Sequence, residues 1–388
     1  MNPTWFMAWC IAEFVGNADL RSVQSLEYLW FSSNFGSEIP ACGRRNPHLK
    51  CKEGGKMKKI CLIIGLSLLI AIFASSAFAQ KVSLRYGHAN ALTYPYHIAG
   101  VAFAKAVEEK SKGTLEIKIF PLGQLGGERD ITEGLQLGTI DLQGTSLGVT
   151  GTFIKVLNIY NLPFIFKGPD HFMKVTHGPL GQWVLKEVIN EGEKVNLKPL
   201  SLAGPAFRVP MNNIRPINKL DDFKGLKIRT MEVPLHKDAY KALGSSPVPL
   251  PFGELYTALK TGVVDGNENG PATLEAMKFY EVQKYVTYLP ILSNGGAFLM
   301  GLKTFNKLSP EHQKVIMESV PAWTKAMDDE CLRQDKEALT KMEAKGTKIN
   351  YIKDLKPYID ATASVRAEAT KAWPKEWVDV VDKILKLD

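Results

Sequence analysis

The chain carries two kinds of apolar pattern, one nearly unbroken and one periodic. Residues 60–73 form an apolar run that follows Lys58 and Lys59 and leads into a small-residue stretch ending Ala77-Phe78-Ala79. From residue 82 onward the apolar positions switch between a period of two and a period near that of a helix. The spacing predicts a strand over 82–86, a helix over 96–111 with apolar positions at Ile98, Val101, Ala102 and Val107, and a second strand over 115–120. A loop over 121–127 then opens a helix at Glu128 that Gly138 closes, ahead of a strand over 139–143. Strands alternating with helices of this length predict βαβ units on a parallel sheet.

The same unit is written twice. Helix, glycine, short strand and aspartate occur as LQLGTIDLQ around Gly138 and Asp141, and again as ALKTGVVDG around Gly262 and Asp265. Each follows a strand, a proline-bearing loop and a helix start, so two similar α/β lobes are expected rather than a solenoid. Ser309 and Pro310 supply an N-cap and a first-turn proline for a helical stretch that reaches Lys345-Gly346 and restarts near Pro321. A helix that long beside two lobes is a candidate brace across a hinge. No Gly/Ser-rich linker separates the lobes, which predicts a connection by ordered strands.

Residues 57–79, with their lysines, apolar run and A-x-A end, read as a secretory signal peptide. An uncleaved anchor would need roughly 20 apolar residues without such a site. Cys61 lies at the start of the run, so no lipid-attachment cysteine follows it. Residues 1–56 read as an upstream start outside the exported protein, and the mature chain is expected to begin at Gln80. Residues 1–79 hold 8 of the 48 Lys/Arg and 5 of the 40 Asp/Glu, which leaves 40 basic against 35 acidic residues. So small a surplus, spread without a basic run, excludes nucleic acid as a partner and suits a modest pull on anions. Cys331 is the one cysteine of the mature segment, so no intramolecular disulfide can form there; export without disulfides points to a bacterial periplasm.

In an open parallel sheet, ligands sit beyond the carboxyl ends of the strands. A strand over 226–230 places Leu226 and Ile228 on one face and Lys227 and Arg229 on the other, with Arg229 near its end. A strand over 263–267 leads to Glu268 and Asn269, the strand over 139–143 to Gly144, Thr145 and Ser146, and the strand over 82–86 to Gly87 and His88. An arginine, an amide and hydroxyls at adjacent strand ends would hold a carboxylate, because a guanidinium presents a planar fork of donors to its two oxygens. Arg229 as a solvated strand end is the alternative. A rival pattern is GTSLG over 144–148, which fits the G-x-S-x-G nucleophile elbow of an esterase built on Ser146. Asp265 and His312 could be nominated to complete its triad, but the HGGG-type segment for an oxyanion hole is missing and the pattern is short. The seven histidines show no H-E-x-x-H or other metal-ligand spacing, and neither metal nor cofactor is expected.

The segments RPINKLDDFKGLKIRTM, PVPLPFGELYTALKTGVVDGNEN and KFYEVQKY resemble the solute-binding subunits of tripartite ATP-independent periplasmic (TRAP) transporters, the DctP-like family. GHANALTYPYHIAGVAFAKAVEEKSKG, FPLGQLGGERDITEGLQLGTIDL and NLPFIF are similar to the same family, so the likeness spans nearly all of residues 81–388. The resemblance implies an α/β, two-lobed periplasmic binding protein fold with parallel-sheet lobes, crossing strands and a long C-terminal hinge helix. It divides the chain into one lobe from 81–205 and 295–334 and another from 206–294 and 335–388. It also implies that Arg229 is the carboxylate anchor, Arg208 a supporting arginine, Asn269 a ligand-facing amide, Phe252 an aromatic lining the cleft and Glu128 an acidic residue near it. One departure is Gly270, which stands before Pro271 where many members have proline directly after the asparagine.

The function implied is capture of a small organic acid by lobe closure, without catalysis, and its delivery to a two-part membrane permease driven by an ion gradient. The anion would bridge Arg229 of one lobe and Gly144, Thr145 and Ser146 of the other. A periplasmic sensor of a signalling system would look the same in sequence. C4-dicarboxylates, sugar acids, 2-oxo acids and aromatic acids are all ligands of the family, and the sequence leaves the choice open.

Overall fold

A computed structural model describes residues 81–388; residues 57–79, read above as a signal peptide, and those before them lie outside these. The first lobe opens with β1 (Val82–Gly87), α1 (Pro95–Lys110), β2 (Leu115–Phe120), α2 (Glu128–Leu137) and β3 (Leu142–Ser146). β1 pairs in parallel with both β2 and β3, as the βαβ reading requires. Three helices, α3 (Leu147–Phe153), α4 (Pro169–His177) and α5 (Pro179–Lys194), lead to β4 (Leu197–Ala203) at the far edge. β11 (Gly296–Gly301) returns from the second lobe to lie antiparallel between β3 and β4, giving the order β2-β1-β3-β11-β4.

The second sheet takes β5 (Phe207–Asn212), β6 (Lys227–Thr230), β7 (Ser246–Pro249), β8 (Gly266–Asn269), β9 (Tyr285–Tyr288) and β12 (Lys348–Tyr351) in the order β12-β9-β5-β8-β6-β7. The two-residue β10 (Leu292–Ser293) adds to β5. Helices α6 (Pro234–Ala242), α7 (Leu255–Thr261) and α8 (Pro271–Ala276) cover this lobe. The βαβ ladders are parallel, β6 with both β7 and β8. Antiparallel pairing enters with the strands that carry the chain between lobes: β5 against β8 and β9, and β11 against β3 and β4. The expected two-lobed α/β fold with crossing strands is what the chain forms.

The repeated motif does the same job in both lobes. Gly138 (φ 81°) and Gly262 (φ 74°) close α2 and α7 in the left-handed conformation that costs glycine least. The next residues are spent on that turn: the Thr139 amide donates to the Gly134 carbonyl, and the Val263 amide to that of Ala258. Asp141 then accepts the Arg85 amide of β1 at 2.8 Å, and Asp265 accepts the Lys227 amide of β6 at 2.8 Å. Each aspartate thus ties the start of its own strand to the neighbouring parallel strand. The strands begin only after these aspartates, so β3 and β8 start three residues later than the expected 139–143 and 263–267.

α9 (Leu302–Lys307) precedes α10 (Pro310–Ala344), which starts on a Ser309 cap and runs through Pro321 without interruption. The expected restart at Pro321 does not occur, because a proline removes one backbone donor while packing against α1, β4 and α8 holds the helix on both sides. Trp323 is fully buried, stacks on Phe298 at 4.9 Å and donates its indole N–H to the Tyr86 hydroxyl at 3.1 Å. α10 also grips the first crossing. Asp328 accepts the Gly204 amide at 2.7 Å and meets His177 Nε2 at 2.8 Å, which raises the His177 pKa. α11 (Lys356–Lys371) packs on α6 of the second lobe and brings Tyr358 to Phe223. α12 (Lys375–Lys386) was expected with it, yet buries Val380, Val381 and Ile384 in the first lobe's core beside Phe172 and Val184. Its apolar stripe has that core to fill, and the His171 ring meets the Ile384 carbonyl at 3.1 Å.

Gly204 has φ 87°, and a Cβ there would lie 2.8 Å from Met327 Cε and 3.2 Å from Cys331 Sγ. Gly204→Ala is therefore expected to cost about 1–3 kcal/mol, from left-handed strain plus overpacking, as read by urea unfolding.

Candidate ligand-binding site

The strand ends of the two lobes meet around a cavity of ≈ 230 Å³. The second lobe brings Arg208, Arg229, Met231, Phe252 and Asn269 to its wall, and the first lobe brings Asn90, Tyr94, Tyr96, Glu128 and Ser146. The two arginines are in different states. Arg208, second residue of β5, engages acceptors through all three nitrogens: the Glu268 carboxylate through Nε, Asn294 Oδ1 through Nη1, and the Glu268 carbonyl (2.7 Å) and Asn269 Oδ1 (2.8 Å) through Nη2. Arg208 and Glu268 form a buried ion pair. Burial would raise the Glu268 carboxyl, but Arg208 and His236 beside it hold it at about 2.

Arg229 is as deeply buried and far less satisfied. Its Nε (2.9 Å) and Nη2 (2.5 Å) both donate to the Leu250 carbonyl, while Nη1 has no partner. The Phe252 ring lies 5.9 Å from its guanidinium carbon and backs the plane. Burial lowers this guanidinium to about 10, and the like charge of Arg208 acts in the same direction. It remains a cation at neutral pH. A fork held on one edge by a carbonyl, with Nη1 buried and unpartnered in a side chain at the cavity wall, has the donors for a bidentate carboxylate.

The first-lobe wall differs from the expectation. Ser146 ends β3 and caps α3, accepting the Val149 amide at 3.2 Å. Its hydroxyl donates to Glu128 Oε2 at 2.7 Å and its amide to Oε1 at 3.2 Å, so it is not a free donor for an anion. Burial raises the Glu128 carboxyl, against the hydrogen bonds of Ser146 and the two guanidinium groups. Thr145 points away from the cavity into the sheet interior, as alternation along β3 dictates. His88 also lies outside the lining. It is buried between Tyr86 and His97, with Nε2 3.2 Å from His97 Nδ1, and burial with that neighbour pushes its pKa to about 4. Asn269 lines the cavity, but its amide is engaged by Arg208 and Asn267.

The residues nominated for a triad take separate partners: Ser146 bonds Glu128, His312 meets Thr114 at 3.0 Å, and Asp265 holds Lys227. Sequence reasoning missed Asn90, Tyr94, Tyr96, Asn294 and the role of Glu268. Glu268 had a usable signal, since a buried arginine such as Arg208 demands a counter-charge and DGNEN offers one beside Asn269.

A buried guanidinium with an unpartnered donor at the wall of a cavity between two lobes is the mark of an anion-capturing binding protein. Residues 86–372 match the family model described as bacterial extracellular solute-binding protein, family 7 (DctP). The chain belongs to this family, whose members serve TRAP transporters. It is similar to the 2,3-diketo-L-gulonate-binding periplasmic protein YiaO of Escherichia coli, with 32% identity over 68% of this chain and 79% of that protein. A TRAP periplasmic solute-binding protein from Polaromonas, bound to D-erythronate, superposes with a TM-score of 0.74 at 30% identity, covering 79% of this chain and 99% of that one. One from Pseudomonas putida F1, with bound D-glucuronate, gives a TM-score of 0.74 at 30% identity over 79% and 98% of the two chains.

Removing Arg229 should abolish capture while sparing the fold. Calorimetry with an organic acid that the wild type binds is expected to show Arg229→Ala weaker by more than about thirtyfold, the consequence of losing about 2–5 kcal/mol at one end of a buried charge pair. Arg229→Lys should fail similarly, since an ammonium lacks the fork. Arg208→Ala should instead lose about 3–5 kcal/mol of stability in urea, because it strands Glu268.

Proposed function

We propose that this protein is the exported receptor of a TRAP transporter and captures a hydroxylated monocarboxylic acid of the sugar-acid kind. The observation that carries this reading is the unpartnered Nη1 of buried Arg229 at the wall of the interlobe cavity. The rest of the wall is lined by Asn90, Tyr94, Glu128 and Thr273, groups suited to hydroxyls. The acids named for its relatives, D-erythronate, D-glucuronate and 2,3-diketo-L-gulonate, each combine one carboxylate with hydroxyls. Residues 57–79 direct export, and the mature protein works in the periplasm from Gln80 on. No bond is made or broken; the closed, loaded form is what a two-part permease driven by an ion gradient receives.

Binding works by closure, and the lobes touch at a specific place. A Cβ on Gly148 of α3 would lie 3.3 Å from Met231 Sδ and 3.4 Å from His236 Cε1, both from the opposite lobe. An acid that contacts both walls stabilises this closed state through bonds unavailable when the lobes part. A thermal-shift screen over organic acids tests the reading: a sugar acid at about 100 times its dissociation constant should add about 2.7 kcal/mol of stability. Response only to acids without hydroxyls would refute it. Gly148→Leu should prop the lobes apart, weakening binding by at least about tenfold, with a radius of gyration in solution scattering that ligand no longer reduces.

A further inference from the structure

Two acidic side chains face the buried part of the site, and only one is neutralised by contact. Glu268 is spent on Arg208. Glu128, the first residue of α2, lines the cavity and makes no ion pair within 4 Å among the described residues. Its two oxygens take the Ser146 hydroxyl at 2.7 Å and the Ser146 amide at 3.2 Å. The hydroxyl proton of Ser146 is thereby aimed at Glu128, while its oxygen accepts the Val149 amide. This part of the first-lobe wall therefore presents acceptors rather than donors, since each carboxylate oxygen keeps a second lone pair. Burial raises the Glu128 pKa, and the helix N-terminus, the two Ser146 donors and the charges of Arg208 and Arg229 act against that to favour the ionised form.

From this we infer that Glu128 is the specificity-determining residue of the site and restricts it to acids with a single carboxylate. The inference rests on the sugar-acid reading above. With the ligand carboxylate on Arg229, the far end of the molecule meets the Glu128 carboxylate. A terminal hydroxyl there donates a charge-assisted hydrogen bond. A second carboxylate there brings two like charges together in a confined cleft where Arg208 is held by Glu268, Arg229 by the ligand's first carboxylate and Arg129 by Glu133 at 3.8 Å and the Phe153 ring, and that juxtaposition is what rejects it. The other acidic lining residues, Asp130 and Glu232, add charge of the same sign on either side of the cleft.

Matched pairs isolate this contact. D-Erythronate and meso-tartrate, like D-gluconate and D-glucarate, differ only in a terminal hydroxymethyl group replaced by a carboxylate. Calorimetry on the wild type should find the monoacid of at least one pair bound, and its diacid at least about tenfold weaker. Glu128→Gln keeps the shape and an acceptor for Ser146 but removes the charge, and should narrow that ratio to within about threefold. Equal affinity of the wild type for both members of a pair would overturn the inference even if the variant failed to fold. So would a ratio unchanged in a folded Glu128→Gln protein. Binding of none of the four acids would overturn the sugar-acid reading itself, and the inference with it.

Discussion

The buried Arg208–Glu268 pair is the interaction on which the site depends. Arg208 sits at the start of the first crossing strand, Glu268 on its antiparallel neighbour β8, and Asn294, which Arg208 also holds, on the second crossing. One guanidinium therefore ties both interlobe connections to the strand end that carries Asn269. Such a pair contributes little net stability, because desolvation offsets the attraction, but breaking it strands a charge. Its consequence here is positional. By consuming Arg208, Glu268 leaves Arg229 as the deeply buried cation with an unpartnered donor.

That division of labour explains how a binding protein can bury two arginines without filling its own site. A guanidinium out of water needs acceptors, and Arg229 has one carbonyl, Leu250, at one edge. The unmet demand of Nη1 is a cost that an incoming carboxylate removes. The same logic carries closure. The crossings are short and ordered, Gly204 and Asp328 fix one of them to the brace helix, and Gly148 lets the lobes come into contact. In the proposed mechanism, capture changes the spacing of the lobes about this frame, with the charges set before the ligand arrives.

Much of the fold was legible in the sequence, because hydrophobic period and turn residues report local structure directly. The strands and helices from 82 to 137, the brace helix and the repeated glycine-aspartate motif all follow from such signals. The strand starts after Asp141 and Asp265 did not, since period alone cannot tell a helix-closing turn from the first residues of a strand. The helix across Pro321 and the docking of α12 on the first lobe depend on packing from distant segments. Of the residues nominated by strand-end position or resemblance, Arg229, Arg208, Phe252, Glu128 and Asn269 line the interlobe cavity. Thr145 and His88 were placed by the same rule on the wrong side of their strand ends. Ser146 was expected to donate to an anion, and only the geometry gives its hydroxyl to Glu128.

The most direct test of this account is a crystal structure of the protein with a bound sugar acid such as D-glucuronate. The account predicts the carboxylate in the plane of the Arg229 guanidinium, within about 2.7–3.0 Å of Nη1, with Arg208 still bonded to Glu268 and a ligand hydroxyl on Glu128. A carboxylate seated on Arg208 with Glu268 displaced, or one lying against Ser146 with Arg229 unengaged, would contradict it.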